Sequence, residues 1–192
     1  MSFFTEMDCY LFGQATHYDI YRKMGAHVQT RNGEQGVCFT VWAPHAARVH
    51  VIGDFNGWNE TSHEMDRVEP NTMGVYELFV PGVQEGALYK YLILARDGSK
   101  HYKTDPYGSY AQMRPETASI VFDVDHFKWT DKEWMKERAA TTEEALFEKP
   151  MAIYEVHLGS WMRHPGREDG GFYSYRELAD SLVKYVKDMG YT

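Results

Sequence analysis

Cysteine is nearly absent: Cys9 and Cys38 are the two in 192 residues. Cys38 falls in a run patterned as a strand, so a disulfide framework is not expected, whereas a reducing, cytoplasmic setting is. No apolar run approaches the roughly 20 residues that span a bilayer, and the start MSFFTEMDCYLF lacks the basic region of a secretory signal. Neither a membrane partner nor export is expected. Positive charge is also short, with 20 Lys and Arg against 28 Asp and Glu, which argues against a nucleic-acid partner needing clustered cations. Nine histidines are present, but none stands with Cys or His partners at a metal-ligand spacing, so no metal and no cofactor is expected. No internal repeat is visible. What the chain does have is apolar and flat: 43% hydrophobic and 15% aromatic residues, enough for a packed core and for surfaces that stack on a neutral polymer.

The chain is organised around GVCFTVWAPHAARVHVIGDFNGW, residues 36–58. Two runs rich in Val, Ile and aromatics flank Pro44, and Val49 and Val51 alternate with Arg48 and His50, which predicts strand, turn, strand. After them, Asp54-Phe55-Asn56-Gly57-Trp58 sets turn formers around two aromatics. Seven short apolar runs succeed one another at 37–43, 48–53, 74–80, 87–95, 100–104, 110–113 and 118–124, separated by Pro81-Gly82, Asp97-Gly98 and Asp105-Pro106. That rhythm predicts a mainly β fold, an antiparallel immunoglobulin-like sandwich. In the fourth run Tyr89, Tyr91 and Ile93 share one face, leaving Lys90 on the less buried one.

The flanks differ in character. Residues 1–34 carry apolar islands broken by Gly13, Gly25 and Gly33, and read as an N-terminal arm that packs on a neighbour. Residues 128–149 turn charged and helix-favouring, a helical linker with a capping box from Thr130 and Glu133. MAIYEVHL, residues 151–158, is expected to be a strand with Glu155 and His157 on one face. Ser174 and Glu177 then open a helix whose Tyr175, Leu178, Leu182, Tyr185, Val186 and Met189 form one stripe, stopped by Gly190. Strand, loop and amphipathic helix over 150–192 make half of a βαβ unit, so the chain is expected to be cut after the first βα unit of a longer barrel.

VWAPHAARVHVIGDFNGW resembles the family 48 carbohydrate-binding module, and GVYELFVPGV, YKYLI, KTDPYG and RPETASIV come after it in that family's order, assigning 35–127 to the module. LFGQATHYDIYRKMGAH resembles the lead-in segment of 1,4-alpha-glucan branching enzymes. YEVHLGSW and SYRELADSLVKYVKDMGYT resemble the opening of their glycoside hydrolase family 13 barrel. The resemblance implies a parent enzyme that cuts an α-1,4-glucan and transfers the piece to a 6-hydroxyl by a retaining mechanism. Its two carboxylates are implied on later barrel strands, so no catalytic residue is assigned here. It also implies glycogen or a starch-like α-glucan and the remainder of the barrel as partners, with self-association possible through the last helix.

For carbohydrate binding the matched positions are Trp58, Lys90, Tyr102, Thr117 and Ser119. An aromatic ring covers the C–H face of a glucose unit while Lys and hydroxyl groups bond its edge. Tyr102 stands where sugar-binding members often carry Trp. A scaffold role for the module stays open beside direct binding. So do a non-catalytic glycogen-binding module and a related debranching or trehalose-releasing hydrolase.

Overall fold

Val37, Phe39 and Val41 point one way along their strand, Cys38 and Thr40 the other, and all five are buried. A strand covered on both faces lies inside three layers, and the computed structural model, which describes residues 2–69, 73–168 and 170–192, shows those layers. The chain divides into two units, one ending at Phe127 and the other beginning at Lys128.

In the first unit, helix α1 (Glu6–Gly13) precedes nine strands among the described residues: β1 (Gly25–Arg31), β2 (Glu34–Trp42), β3 (Ala46–Gly53), β4 (Asp66–Arg67), β5 (Val75–Pro81), β6 (Leu88–Ala95), β7 (Lys100–Lys103), β8 (Tyr110–Ala111) and β9 (Ser119–Ile120). One sheet runs β1-β2-β5-β4. The other runs β3-β6-β9-β8, with β7 also on β6. Every pairing among these strands is antiparallel. All seven expected runs contribute a strand, and the sandwich forms as its pattern implies.

Between the sheets lie Val37, Phe39 and Val41 of β2, Val49 and Val51 of β3, Tyr76 and Val80 of β5, and Tyr89 and Tyr91 of β6. Phe39 meets Tyr89 edge-on with ring centroids 5.0 Å apart. Each such side chain contributes about 1.5–3 kcal/mol by leaving water. The two phenols in this core need acceptors, and Asp105 supplies both: its Oδ2 accepts from Tyr89 at 2.7 Å and from Tyr91 at 3.1 Å. Asp105 Oδ1 accepts the Tyr107 amide at 2.8 Å, and the Asp105 amide donates to Ser119 Oγ at 3.0 Å. Burial pushes the Asp105 carboxyl above its usual range, and burial beside that carboxylate pushes both phenols up as well.

The third layer is the N-terminal segment. Residues 25–31, read from the sequence as arm, are strand β1, paired with β2 over seven residues. Ahead of it, Phe4 and Met24 pack with Val68 and Val75 on the outer face of the first sheet, flanked by Cys9, Phe12 and Ile20. Glu77 of β5 accepts from the amides of Phe3 and Phe4 and from Ser2. The segment therefore covers a sheet of its own unit. Both cysteines are free, and burial beside Glu77 raises the Cys38 thiol to about 12.

The second unit holds α2 (Lys132–Ala140), α3 (Glu143–Phe147), α4 (Leu158–Trp161) and α5 (Tyr175–Asp188). Helix α2 begins after Asp131 with no side-chain cap, so the box expected from Thr130 and Glu133 does not form. The box of Ser174 and Glu177 on α5 does, and Arg167 beside Glu177 brings that carboxyl to about 2. The strand expected over 151–158 is corrected: 151–157 has no strand assignment and Leu158 opens α4. A strand needs a ladder of partners, and here Ala152 meets the single residue Thr192. The Thr192 amide donates to the Ala152 carbonyl at 3.0 Å while its Oγ1 accepts from the Ala152 amide at 3.0 Å. Rings hold the segment to α5 instead: Tyr154 lies 5.5 Å from Tyr185, and Trp161 donates to the Tyr154 hydroxyl at 2.8 Å. On the α5 stripe Leu178 is buried, whereas Tyr175, Tyr185 and Met189 are exposed.

Candidate functional site

The GDFNGW turn is built so that its last residue faces outward. A Cβ at Gly53 would collide with the Leu88 carbonyl and the Phe55 ring, so only glycine fits there. Asn56 braces the turn: its Oδ1 accepts the Gly53 amide at 3.0 Å and its Nδ2 donates to the Val51 carbonyl at 3.2 Å. Gly57 and Trp58 both take left-handed backbone, at φ 62° and 60°. For a bulky residue that conformation costs on the order of 1 kcal/mol. Phe55 turns inward onto Phe39 with centroids 5.8 Å apart, while Trp58 stays 39% exposed. One aromatic of the motif thus anchors the turn and the other presents a ring.

Antiparallel partners share a sheet face. Lys90 pairs with Ile52 and Leu92 with Tyr102, so Lys90 and Tyr102 stand as diagonal neighbours on the outer face of the second sheet. Lys90, half-buried, donates from Nζ to Thr117 Oγ1 at 2.8 Å, and Thr104 Oγ1 donates to the Thr117 carbonyl at 2.7 Å. Thr117 is exposed. Ser119, two residues on, is 1% exposed and is spent on the Asp105 amide, so it offers no surface to a ligand.

A residue missed in the sequence ties these parts together. Glu60, two residues after Trp58, accepts from the Tyr102 hydroxyl through Oε1 and from Lys100 Nζ through Oε2 at 2.6 Å. Met65 and Val51 bond across to Val49 and His63, so residues 63–65 lie along the free edge of β3. From that edge to β7 the chain must pass over β3 and β6. On this face His50, Ile52 and Leu92 are buried, and the His50 Nδ1 lies 3.4 Å from the Ser62 carbonyl. Hydrogen bonds from Lys100 and then Tyr102 hold the Glu60 carboxyl below its usual range, and the same contacts raise Lys100 and Tyr102. Lys100 and Tyr102 share a face by their spacing, but nothing in the sequence pairs either with a residue 40 positions earlier.

Two exposed rings, Trp58 and Tyr102, thus flank Glu60 in the chain and across the sheet, with the amine and hydroxyl groups of Lys90, Lys100 and Thr117 on the β6, β7 and 117–119 segments. Among the described residues no group of three or more His, Cys, Asp or Glu could hold a metal ion. No described helix is long and apolar enough to cross a membrane.

Residues 23–108 match the family described as Carbohydrate-binding module 48 (Isoamylase N-terminal domain). The chain is 52% identical, over 99% of its length, to the 1,4-alpha-glucan branching enzyme GlgB of Butyrivibrio fibrisolvens, of which it covers 29%. It is 47% identical, over 100% of its length, to the same-named enzyme of Gloeobacter violaceus, of which it covers 25%. In fold it resembles a putative alpha amylase from Salmonella typhimurium, with TM-score 0.56 and 23% identity over 88% of this chain and 23% of that one. The chain thus spans under a third of the curated relatives it matches. Over residues 23–108, which hold most of the sandwich, the chain is thus similar to carbohydrate-binding module 48.

Proposed function

We propose that this chain is the module-bearing part of a 1,4-alpha-glucan branching enzyme and that its second sheet offers a surface for α-glucan. One observation carries the reading: identity of 52% to such an enzyme runs through the module and on through the second unit. The parent reaction is transfer of an α-1,4-glucan segment to a 6-hydroxyl, which needs two carboxyl groups on barrel strands. This chain supplies binding rather than that pair. The exposed faces of Trp58 and Tyr102 stack on the C–H faces of glucose units, displacing water from both. Lys90 and Thr117 then bond hydroxyls at the ring edge. Ser119, buried, is left out of the set. The two free cysteines support a cytoplasmic setting, where an intracellular glucan would be met.

Affinity electrophoresis of the chain through glycogen-containing gels tests the surface. Retardation should fall for Trp58→Ala by about tenfold in apparent affinity, the weight of one stacking ring. Unchanged mobility for Trp58→Ala would leave the module as packing for the barrel. The single module and the debranching or trehalose-releasing hydrolases rank lower because the branching-enzyme match continues past the module to the end of this chain.

A further inference from the structure

Strand β7 is exposed at every residue, and Tyr102 on it is 50% exposed. A phenol on such an edge has little packing to fix its ring, and a mobile ring loses rotamer entropy when a sugar lands on it. Glu60 removes that freedom. Its Oε1 takes the Tyr102 hydroxyl and its Oε2 takes Lys100 at 2.6 Å, so both oxygens work on the same strand. The residue lies two positions from Trp58, and the Asn59 side chain stiffens the chain on its far side by accepting from the Thr61 amide at 2.8 Å and the Thr61 hydroxyl at 2.9 Å. One carboxylate therefore joins the turn that presents Trp58 to the strand that presents Tyr102. An isolated surface ion pair contributes little, but this one spans two segments distant in sequence and ends on a residue of the platform. Lys100 keeps two N–H donors free of Glu60 for a sugar hydroxyl.

We propose that Glu60 is a positioning residue of the α-glucan platform: it pins Tyr102 and Lys100 and sets their spacing from Trp58. The proposal rests on the glucan-binding reading above. Glu60 need not touch the sugar; it acts through the ring it holds. Two consequences separate it from plain stacking. Removing only the Tyr102 hydroxyl should weaken binding although the ring remains. Removing Glu60 as well should then cost less than it does alone, since only its hold on Lys100 is left to lose.

The test measures affinity of the full chain for maltoheptaose by calorimetry, with glycogen gels as a second readout. Glu60→Ala and Tyr102→Phe should each weaken binding about three- to tenfold, the range of one or two lost hydrogen bonds. The double variant should weaken binding by clearly less than the two single effects combined, because the contact to Tyr102 is lost only once, and Glu60→Gln, which keeps an acceptor for the phenol but not the ion pair to Lys100, should fall between Glu60→Ala and the parent. Near-ultraviolet circular dichroism and melting temperature, read alongside, should match the parent in all of these variants. If Tyr102→Ala weakens binding while Glu60→Ala binds like the parent, or if Glu60→Ala and Tyr102→Phe add, Glu60 does not position the ring and the proposal fails alone. If Trp58→Ala and Tyr102→Ala both bind like the parent, the platform reading fails first and takes the proposal with it.

Discussion

At the scale of single residues, Asp105 meets the strictest demand in the molecule. It is 6% exposed and accepts from two phenols deep between the sheets. Truncation to Asp105→Ala strands both hydroxyls, and each stranded buried donor costs about 1–3 kcal/mol. Urea denaturation should therefore show a loss of about 2–4 kcal/mol, largely spared when Tyr89 and Tyr91 are already Phe, because no phenol is then left without a partner. Trp58 makes a different kind of demand. Its left-handed backbone is strain held by the Asn56 brace and by its own amide, which donates to the Gly53 carbonyl at 2.8 Å.

At the scale of elements, α1 is tied to the residues that flank it, Thr5 before and His17 and Lys23 after, by one buried carboxylate, Asp8. Burial alone would raise the Asp8 carboxyl. Hydrogen bonds from the Thr5 hydroxyl and amide, with His17 and Lys23 beside it, outweigh burial and bring the pKa to about 2. Because folding lowers this pKa, the unfolded chain takes up the proton first as pH falls. The stabilisation, about 2 kcal/mol at most, is complete above the ordinary carboxylate range, declines between about pH 4 and 2, and is gone below it. A stability profile across that window should fall for the parent and be flatter for Asp8→Asn, which starts lower at neutral pH. A profile of Asp8→Asn as steep as the parent's would remove Asp8 as the cause. The box of Ser174 and Glu177 on α5 has the same geometry but lies in solvent. Water and salt screen it, so it caps a helix without anchoring one.

At the scale of the whole chain, every strand pair among the described residues is antiparallel. A retaining transfer needs two carboxyl groups about 5–5.5 Å apart, and in a (β/α)8 enzyme they stand at the C-terminal ends of its parallel strands. The 192-residue chain incubated with amylose should therefore form no α-1,6 branches, read by debranching and chain-length analysis of the product. Detectable branching would overturn the reading of this chain as a binding part.

Much of this architecture is legible in the residues alone. Period-two alternation at Val49 and Val51, turn formers between runs, and the GDFNGW string are local signals, and local backbone preference produced the seven runs where they were expected. Ser174 and Glu177 lie three apart, within one turn, so their box could be read directly. Other features could not be read that way. Strand β1 is a half-buried edge whose polar residues hide its pattern, and it exists because β2 offers a ladder. Residues 151–157 carry a strand's pattern but take no strand form, because pairing belongs to two segments and never to one. Ser119 matched a binding position in sequence and is buried, since its pairing with Tyr89 turns it to the inner face, beside Asp105. Glu60 reaches Tyr102 only after the loop passes over two strands. The sequence by itself determined where the strands of the sandwich run, the presenting turn and the α5 cap, all consequences of residues within a few positions of one another. Which side chains reach the surface together, and which carboxylate holds them there, was decided by tertiary structure, because contacts between distant residues exist only once the sheets have closed.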